Sequence, residues 1–429
     1  MNSLVDFQTP WSKLSAREFD SWHSMCSYLG SFPPALASYF INYFSAPGDL
    51  ILDPFSGRGT TLLEARILNR VPIATDLNPI AIALTEAKNV NISQEQVLSR
   101  IDELERKYDY ALYQPEAMAQ DDEIHLIFNP RTLAQLCYLR RRLLKSENDI
   151  DKYLIGCCLG ILHGSERVDG TSGYASIDMP NTFSMSPHYV RRFVQTKQLS
   201  RTFRDVFVSL REKTQRLYKK HNETRQKGIV LKGDVKLLSE IPELKSYYGK
   251  ANLVLTSPPY LGIVNYAKQN WIRLWFLNQN PKDISNDLDD DLNLEEWLNF
   301  SKTFIEQVQL FLKDDGVAVF VIGDVAKSKT SIIPLAREFA MMIYENRFFN
   351  NVWCINDTII DKTTRIWGET KGSATATDRI IVLSNINPFK KFENNIYVEP
   401  LNYEFVKEST RFFVGEQIFQ NMLFKSQNG

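Results

Sequence analysis

The spacing of apolar and polar positions changes period several times along the chain. Leu50–Leu52 is a short apolar run that ends at Asp53, and Phe55–Thr60 is a glycine-bearing turn. Thr61–Asn69 has helical spacing, and Val71–Thr75 is a second apolar run ending at Asp76. Asn78–Asn89 is helical, with Asn78 placed to cap it and Pro79 in the first helical position. Strand, helix, strand, helix in this order predicts a parallel sheet.

Residues 94–228 lack such runs and carry helix-like spacing. Pro130–Leu144 places Leu133, Leu136, Leu139 and Leu143 on one face, and Ile150–Leu162 reads as another helix. Residues 165–187 are rich in Gly, Ser, Thr, Asn and Pro and predict a long loop, a kind of segment that often carries function. From 188 to 221 the spacing predicts one long basic helix. Strand patterns return at Ile229–Leu231 and Asn252–Thr256. Leu294–Leu312 predicts a helix feeding the strand Val317–Ile322, and Ile332–Asn346 a further helix. Val352–Ile360 and Asp378–Leu383 predict a closing antiparallel hairpin. The pattern gives one α/β domain, residues 1–92 and 229–429, interrupted by a mainly helical insertion over 93–228. No internal repeat or low-complexity tract occurs.

Composition narrows the function classes. The 429 residues are 44% hydrophobic and 24% charged, which excludes a disordered or collagen-like chain. Lys and Arg total 50 against 51 Asp and Glu, so this is no small, wholly basic nucleic-acid binder, and a polyanion site must come from local asymmetry. The N-terminus shows no basic start followed by an apolar run, and the longest apolar stretches, Tyr153–Leu162 and Val317–Ile322, are far below the roughly 20 residues that span a bilayer. Cys26, Cys137, Cys157, Cys158 and Cys354 form no CxxC pair, and the histidines show no ligand spacing, so neither a disulfide framework nor a metal site is expected. These features predict a soluble protein of a reducing, cytoplasmic compartment.

Two motifs carry chemistry. Asp53-Pro54-Phe55-Ser56-Gly57-Arg58-Gly59-Thr60-Thr61 follows the first strand, where doubly wound sheets bind ligands. Its glycines admit close backbone approach, and Asp76, 17 residues after Gly59, offers a carboxylate to both hydroxyls of a ribose. The same residues also fit an ordinary strand–turn–helix. A dinucleotide fingerprint is excluded, because the third glycine would fall on Leu62. The second motif, Ser257-Pro258-Pro259-Tyr260, ends the run Asn252–Thr256. Two prolines stop the strand and stiffen the chain. A planar amino group can donate to the Ser257 hydroxyl and a proline carbonyl while its ring stacks on Tyr260; a rigid turn alone is the competing reading.

Together the motifs resemble the S-adenosylmethionine-dependent amino methyltransferases of DNA, which modify cytosine N4 or adenine N6. The segment 53–61 is similar to the family's cofactor loop and Thr256–Tyr260 to its catalytic motif, the Ser-Pro-Pro-Tyr form being commoner among cytosine-N4 enzymes. Ser24–Pro34 resembles the family's N-terminal segment over the cofactor, with Tyr28, Phe32 and Pro33 matching. Gly233-Asp234 resembles the pair beside the cofactor adenine, and Tyr266 follows the catalytic turn as in one subgroup. The resemblance covers about 1–92 and 229–385, departs at Arg58, where a small residue is usual, and implies a Rossmann-like methyltransferase sheet. It implies S-adenosyl-L-methionine as cofactor, bound by Tyr28, Phe32, Pro33, Asp53, Phe55, Gly57, Gly59, Thr60, Asp76 and Asp234. It implies catalysis by Ser257, Pro258, Pro259 and Tyr260 on a base flipped out of the duplex. Implied partners are double-stranded DNA and, as a separate chain, a cognate restriction endonuclease.

The residues add a mechanistic expectation. No cysteine follows a proline, which disfavours a covalent route to cytosine C5. Hydrogen bonds from both amine hydrogens to Ser257 and the Pro258 carbonyl favour a pyramidal nitrogen, with proton loss after transfer. Residues 187–228 hold 12 Lys or Arg against 3 Asp or Glu, with Tyr189, Phe193, Phe203, Phe207 and Tyr218 among them. Arg191, Arg192, Arg201 and Arg204 are therefore the expected DNA-backbone contacts, extended by Arg140, Arg141 and Arg142. The loop 165–187 is the candidate for base contact or for a cover over the active site. The acidic run Asp283–Glu296 reads as a solvated loop. Competing readings are adenine-N6 methylation, an RNA amine methylase, a nuclease built on Asp361 and Glu369-Thr370-Lys371, and a non-catalytic DNA-binding module.

Overall fold

Strand runs buried on both faces demand helices on both sides, and the computed structural model has that arrangement. It describes residues 11, 14–179, 186–222, 226–261, 265–288, 292–328, 331–358, 373–389 and 399–401. The strands are β1 (Leu50–Asp53), β2 (Val71–Asp76), β3 (Ile229–Lys232), β4 (Ala251–Thr256), β5 (Leu312–Ser328), β6 (Ser331–Ile333), β7 (Asn351–Thr358), β8 (Ser373–Ser384) and β9 (Glu399–Leu401). They form one sheet in the order β3-β2-β1-β4-β5-β8-β7-β9, with β6 attached to β5. The first five pair in parallel, and β8 runs antiparallel to both β5 and β7. Leu52 stands opposite Ile73 on one side and Val254 on the other.

The helices are α1 (Pro34–Phe44), α2 (Thr60–Ile67), α3 (Pro79–Ala87), α4 (Gln94–Arg106), α5 (Tyr110–Met118), α6 (Asp122–Ile127), α7 (Pro130–Leu143) and α8 (Asp149–Ile161), then α9 (Pro187–Lys197), α10 (Val206–Tyr218), α11 (Tyr266–Gln269), α12 (Trp271–Phe276), α13 (Pro281–Asp287), α14 (Leu294–Phe311) and α15 (Leu335–Glu345). Alternation along the strands sorts the sheet's core into two layers. Ile51, Leu253, Leu255 and Val319 pack with α1 and α2, while Leu52, Val254, Ala318 and Phe320 pack with α14 and α15. A third core joins α3 to α4–α8, α10 and α12, and takes in Trp22, Met25 and Cys26.

Several sequence expectations are corrected. The basic stretch is two helices, because Gln198 takes a left-handed conformation (φ 50°) and Asp205 opens a new helix by accepting from Phe207 N and Val208 N. The helix expected from Ile332 begins at Leu335, since Ser331–Ile333 pairs with β5 and the residue before Pro334 avoids helical geometry. The strand expected over Val317–Ile322 spans Leu312–Ser328. In the acidic run, Asp283 and Asp287 lie on α13, and Glu296 forms a capping box with Asn293 at the start of α14; Asp289, Asp290 and Asp291 lie outside the described residues. The described part of the loop 165–187 turns back on the insertion: Ala175, Ile177 and Met179 are buried, and Ile177 N donates to the Ile127 carbonyl. Among the described residues, no helix is long and apolar enough to cross a membrane.

An N-terminal segment ties the insertion to the sheet. Asp20 accepts from Trp22 N, His221 Nδ1 (2.9 Å) and Asn222 N (2.7 Å), and the His221 ring stacks on Trp22 at 3.8 Å. Further on, α8 passes so close to Met25 that a Cβ at Gly160 would fall 1.9 Å from the Met25 carbonyl oxygen. A Gly160→Ala variant is expected to lose roughly 1–3 kcal/mol of stability through overpacking. Urea unfolding followed by tryptophan fluorescence checks it, and an unchanged midpoint would contradict the close packing.

Candidate functional site

The topology places two loops side by side. The chain runs from β1 outward through β2 to β3, then returns to β4 on the other flank of β1. The carboxyl ends of β1 and β4 therefore meet at a switch point, where open α/β sheets bind ligands. Asp53 ends β1 and Thr256 ends β4, and the Thr256 hydroxyl donates to Asp53 Oδ1 at 2.7 Å. Thr61, on the first turn of α2, donates to the Leu255 carbonyl at 3.2 Å. Residues 203 and 194 positions apart are thus bolted together.

One cleft of about 660 Å³ lies over this junction. From the glycine loop after β1 it is lined by Pro54, Phe55 and Gly57, from the end of β2 by Asp76, Leu77 and Asn78, and after β3 by Gly233 and Asp234. Ser257 and Pro259 line it from the second motif, and Tyr28, Gly30 and Tyr266 close it. Asp76 accepts from Gly57 N and from Asn78 N, both at 2.9 Å. Burial pushes its carboxyl up to about 6. The Tyr28 and Tyr266 rings stack at 5.7 Å, and Asn78 Nδ2 donates to the Tyr28 hydroxyl at 3.0 Å.

Other expected site residues stand outside that lining. Phe32 is buried beside α1 and Pro33 caps that helix. Gly59 holds a left-handed turn (φ 75°) where any Cβ would crowd Thr85, and Thr60 begins α2. Asp53 engages Thr256 and the backbone of Phe55, which makes it a brace between the strands where direct contact with a ligand was expected. Arg58 is half-buried behind the loop, its Nε donating to Thr60 Oγ1 at 3.3 Å and its carbonyl accepting from the buried Lys88 ammonium. Burial, aided by Arg58, pushes Lys88 down to about 7.

The second motif is held by its own network. Ser257 Oγ donates to the Val321 carbonyl at 2.9 Å, and the Tyr260 hydroxyl lies 3.1 Å from both Ser257 Oγ and that carbonyl. Trp297 Nε1 donates to the Pro259 carbonyl at 2.7 Å. Pro258 is buried, and Tyr260 is partly exposed.

The expected DNA contacts are largely engaged within the insertion. Arg191 pairs with Glu123 at 2.9 Å, Arg204 with Glu166, and Arg201 Nη1 donates to the His125 carbonyl at 2.6 Å. The Arg192 guanidinium lies 5.8 Å from the Tyr189 ring. Arg140 and Arg141 pair with Glu116. The alternative nuclease residues Asp361, Glu369, Thr370 and Lys371 lie outside the described residues. Sequence reasoning missed Val321, Trp297 and Phe300, whose roles depend on neighbours across the sheet. Asn78 was legible only as a helix cap.

A parallel sheet with a closing antiparallel hairpin and a cleft at its switch point defines a Rossmann-like methyltransferase fold. The chain belongs to the DNA methylase family, whose model matches residues 5–87 and 251–420. The unmatched residues between these stretches include α4–α10. Among curated relatives, Type II methyltransferase M.MjaII of Methanocaldococcus jannaschii is 22% identical over 348 residues, covering 62% of this chain and 64% of the relative. Type II methyltransferase M.MthZI of Methanothermobacter thermautotrophicus is 29% identical over 116 residues, covering 25% of this chain and 33% of the relative. The chain thus spans less than two thirds of the length of either. Two solved structures are also similar. The rRNA methyltransferase aviRa of Streptomyces viridochromogenes has TM-score 0.29 and 12% identity, covering 89% of this chain and 94% of that one. TrmN of Thermus thermophilus has TM-score 0.28 and 10% identity, covering 85% and 52%.

The brace has a pH signature. Burial raises the Asp53 carboxyl from 3.8 to about 7, against the hydrogen bonds from Thr256 and Thr61 that favour its charge. A carboxyl raised on folding contributes stability that is full below about pH 4 and is lost as pH rises through about 7. Asp53→Asn, which keeps an acceptor for Thr256 but no charge, is expected to lessen the loss of stability between pH 5 and pH 8. Urea midpoints of both proteins at the two pH values check this, and parallel shifts would rule it out.

Proposed function

We propose that this chain is an S-adenosylmethionine-dependent DNA methyltransferase acting on an exocyclic base amine, cytosine N4, in a base turned out of the duplex. The observation that carries this reading is the single cleft that joins Asp76 and the glycine loop to Ser257 and Pro259. Family membership supports the same chemistry, as do the two relatives named as Type II methyltransferases. The serine of Ser257-Pro258-Pro259-Tyr260 favours cytosine over adenine by resemblance. A restriction endonuclease on a separate chain completes the type II reading.

The cleft fits the cofactor. Asp76 accepts backbone N–H groups from Gly57, Asn78 and Leu77, and a carboxylate with about four acceptor sites retains capacity for a ribose hydroxyl. Gly57 leaves the loop backbone open, Asp234 stands across the cleft, and the Tyr28 and Tyr266 rings cover it. When bound, S-adenosylmethionine supplies an electrophilic methyl group on a sulfonium.

The chain's own residues do the positioning. Because the Ser257 proton is committed to Val321, the serine oxygen is left to accept from an amine. The Pro259 carbonyl is occupied by Trp297, so the Pro258 carbonyl is the second acceptor of the turn. Two acceptors on one amine hold its nitrogen pyramidal and fix its direction, and orientation of this kind is worth several kcal/mol. The Tyr260 hydroxyl pins that ring beside Ser257, ready to stack on the base. Asp53, tied to Thr256, is not placed to take the proton, which leaves to solvent after transfer.

Incubation of the purified chain with labelled cofactor and separate duplex DNA and RNA, followed by nucleoside mass spectrometry, tests the reading. N4-methylcytosine in DNA is expected. N6-methyladenine would replace the base assignment, and label in RNA alone would overturn the substrate. Tyr260→Ala is expected to weaken use of the base by about 1–3 kcal/mol, as seen when base-stacking aromatics are removed. Full methylation at low substrate would contradict the role of that ring.

A further inference from the structure

A second concavity, of about 1820 Å³, opens beside the cleft, between the helices after the catalytic turn and the insertion. The two share helix α11 as a wall: Tyr266 faces the cleft, whereas Asn265, Ala267 and Lys268 line the groove. The groove therefore adjoins the cleft that Ser257 lines. Pro187 brings the start of α9 to the same groove.

Its exposed cations lie on the wall next to the cleft. Lys268 and Lys282 line it, are exposed, and take no ion pair among the described residues. In the basic stretch Arg191, Arg204 and Arg211 are paired with Glu123, Glu166 and the pair Asp102 and Glu105, while Arg192, Lys197, Arg216 and Lys219 are exposed with no ion pair among the described residues. Lys268 and Lys282 are set apart by their place beside the cleft. Asn278 and Gln279 form the rim. Asn278 has φ 56°, and its side chain makes no hydrogen bond among the described residues. The turn is nevertheless fixed, since Asn278 N donates to the Trp275 carbonyl at 3.0 Å and Gln279 N to the Leu274 carbonyl at 2.9 Å. Two exposed amides on a rigid turn are suited to reading base edges, and unpaired lysines to meeting phosphates.

The floor is rigid as well. Trp275 Nε1 donates to Gln120 Oε1 at 2.7 Å, and the Arg140 guanidinium lies 4.9 Å from the Trp275 ring. These contacts hold the insertion against α12. On the insertion side the groove carries Asp121 and Glu123, the latter paired with Arg191. Carboxylates repel phosphate, which disfavours a backbone path along the insertion side, while on the other side exposed Asp283 and Asp287 share a helix with Lys282.

We propose that this groove receives the duplex flanking the target base, with Lys268 and Lys282 on the phosphates and Asn278 and Gln279 on the base edges. This rests on the DNA-methylation reading above. The test uses the full chain and a random-sequence duplex library, methylated in vitro and sequenced with modified-base detection. Two double variants are compared with the parent. Lys268→Ala with Lys282→Ala is expected to weaken duplex binding and to lower the slope of log affinity against log salt by about 0.9 per lysine, with the methylated sequence unchanged. Asn278→Asp with Gln279→Ala keeps a residue tolerant of the left-handed turn. It is expected to alter discrimination at one or more positions by about 5- to 150-fold. Titration with S-adenosylhomocysteine is expected to give the parent's affinity in both. Parental salt slope and sequence preference in both variants would overturn the groove alone. A parent that binds S-adenosylhomocysteine but methylates no duplex would overturn the reading beneath it, and the groove's occupant with it.

Discussion

The pairing of β1 with β4 is the constraint on which everything else rests. It sets the glycine loop beside the Ser-Pro-Pro-Tyr turn although an entire helical insertion separates them in the chain. Parallel pairing alone fixes the strands to within a residue. The Asp53–Thr256 and Thr61–Leu255 hydrogen bonds fix the two loops that leave them. A carboxylate buried at such a junction is costly, which is why its proton affinity rises, and a cost of this kind persists where geometry depends on it. The same junction explains why the insertion is tolerated: it leaves the sheet after α3 and rejoins at β3, an edge strand of the parallel half, without disturbing the centre.

A second layer of buried polar contacts stands behind the cofactor loop. His23 Nε2 lies 2.7 Å from Glu64 Oε1; burial lifts Glu64 to about 8 and, with Lys88 and Arg58, holds His23 well below its ordinary range. Both shifts favour the uncharged forms, so at neutral pH this contact is a hydrogen bond and not an ion pair. Lys88 anchors the Arg58 carbonyl from the same region, and Lys213 of α10 donates to the Ser24 carbonyl. The N-terminal segment that supplies Tyr28 to the cleft is thereby held by the insertion as well as by the sheet. A strain on the insertion has a short physical route to the cofactor cover, through Asp20, Trp22 and His221.

Local signals carried much of this into the sequence. The strand runs, the Asn78 cap and the glycine loop depend on near neighbours, and they stand where the spacing put them. Asp76, Gly57 and Ser257 share one cleft because β4 pairs with β1 on the flank opposite β2, whereas the βαβα pattern alone placed only the first two strands. What was illegible depended on contacts between distant residues. Nothing near Asp53 announces that its partner is Thr256, and nothing near Val321 announces that its carbonyl holds both Ser257 and Tyr260. The split of the basic helix turned on one left-handed residue, Gln198, a conformation that glutamine rarely advertises.

Charge is where linear reading misleads most. Summed along residues 187–228 the chain looks like a polycation, yet the whole insertion, 93–228, holds 22 Lys or Arg against 18 Asp or Glu. Folding brings those acids to the bases: Glu123 to Arg191, Glu166 to Arg204, Asp102 and Glu105 to Arg211. An arginine held in such a pair must give up its partner, or share it, before it can meet a phosphate, and that exchange yields little net attraction. Pairing thins the densest run without emptying it: Arg192, Lys197, Arg216 and Lys219 stay exposed with no ion pair among the described residues, and other such cations lie outside the run. Lys268 and Lys282 sit in a segment with more acidic than basic residues, Lys282 directly before the acidic run Asp283–Glu296, so summed charge would not single them out, whereas their place on the groove wall does. Local net charge in a folded protein is set by which side chains remain unpartnered at a given place, and the wall shared with the cleft is one such place here.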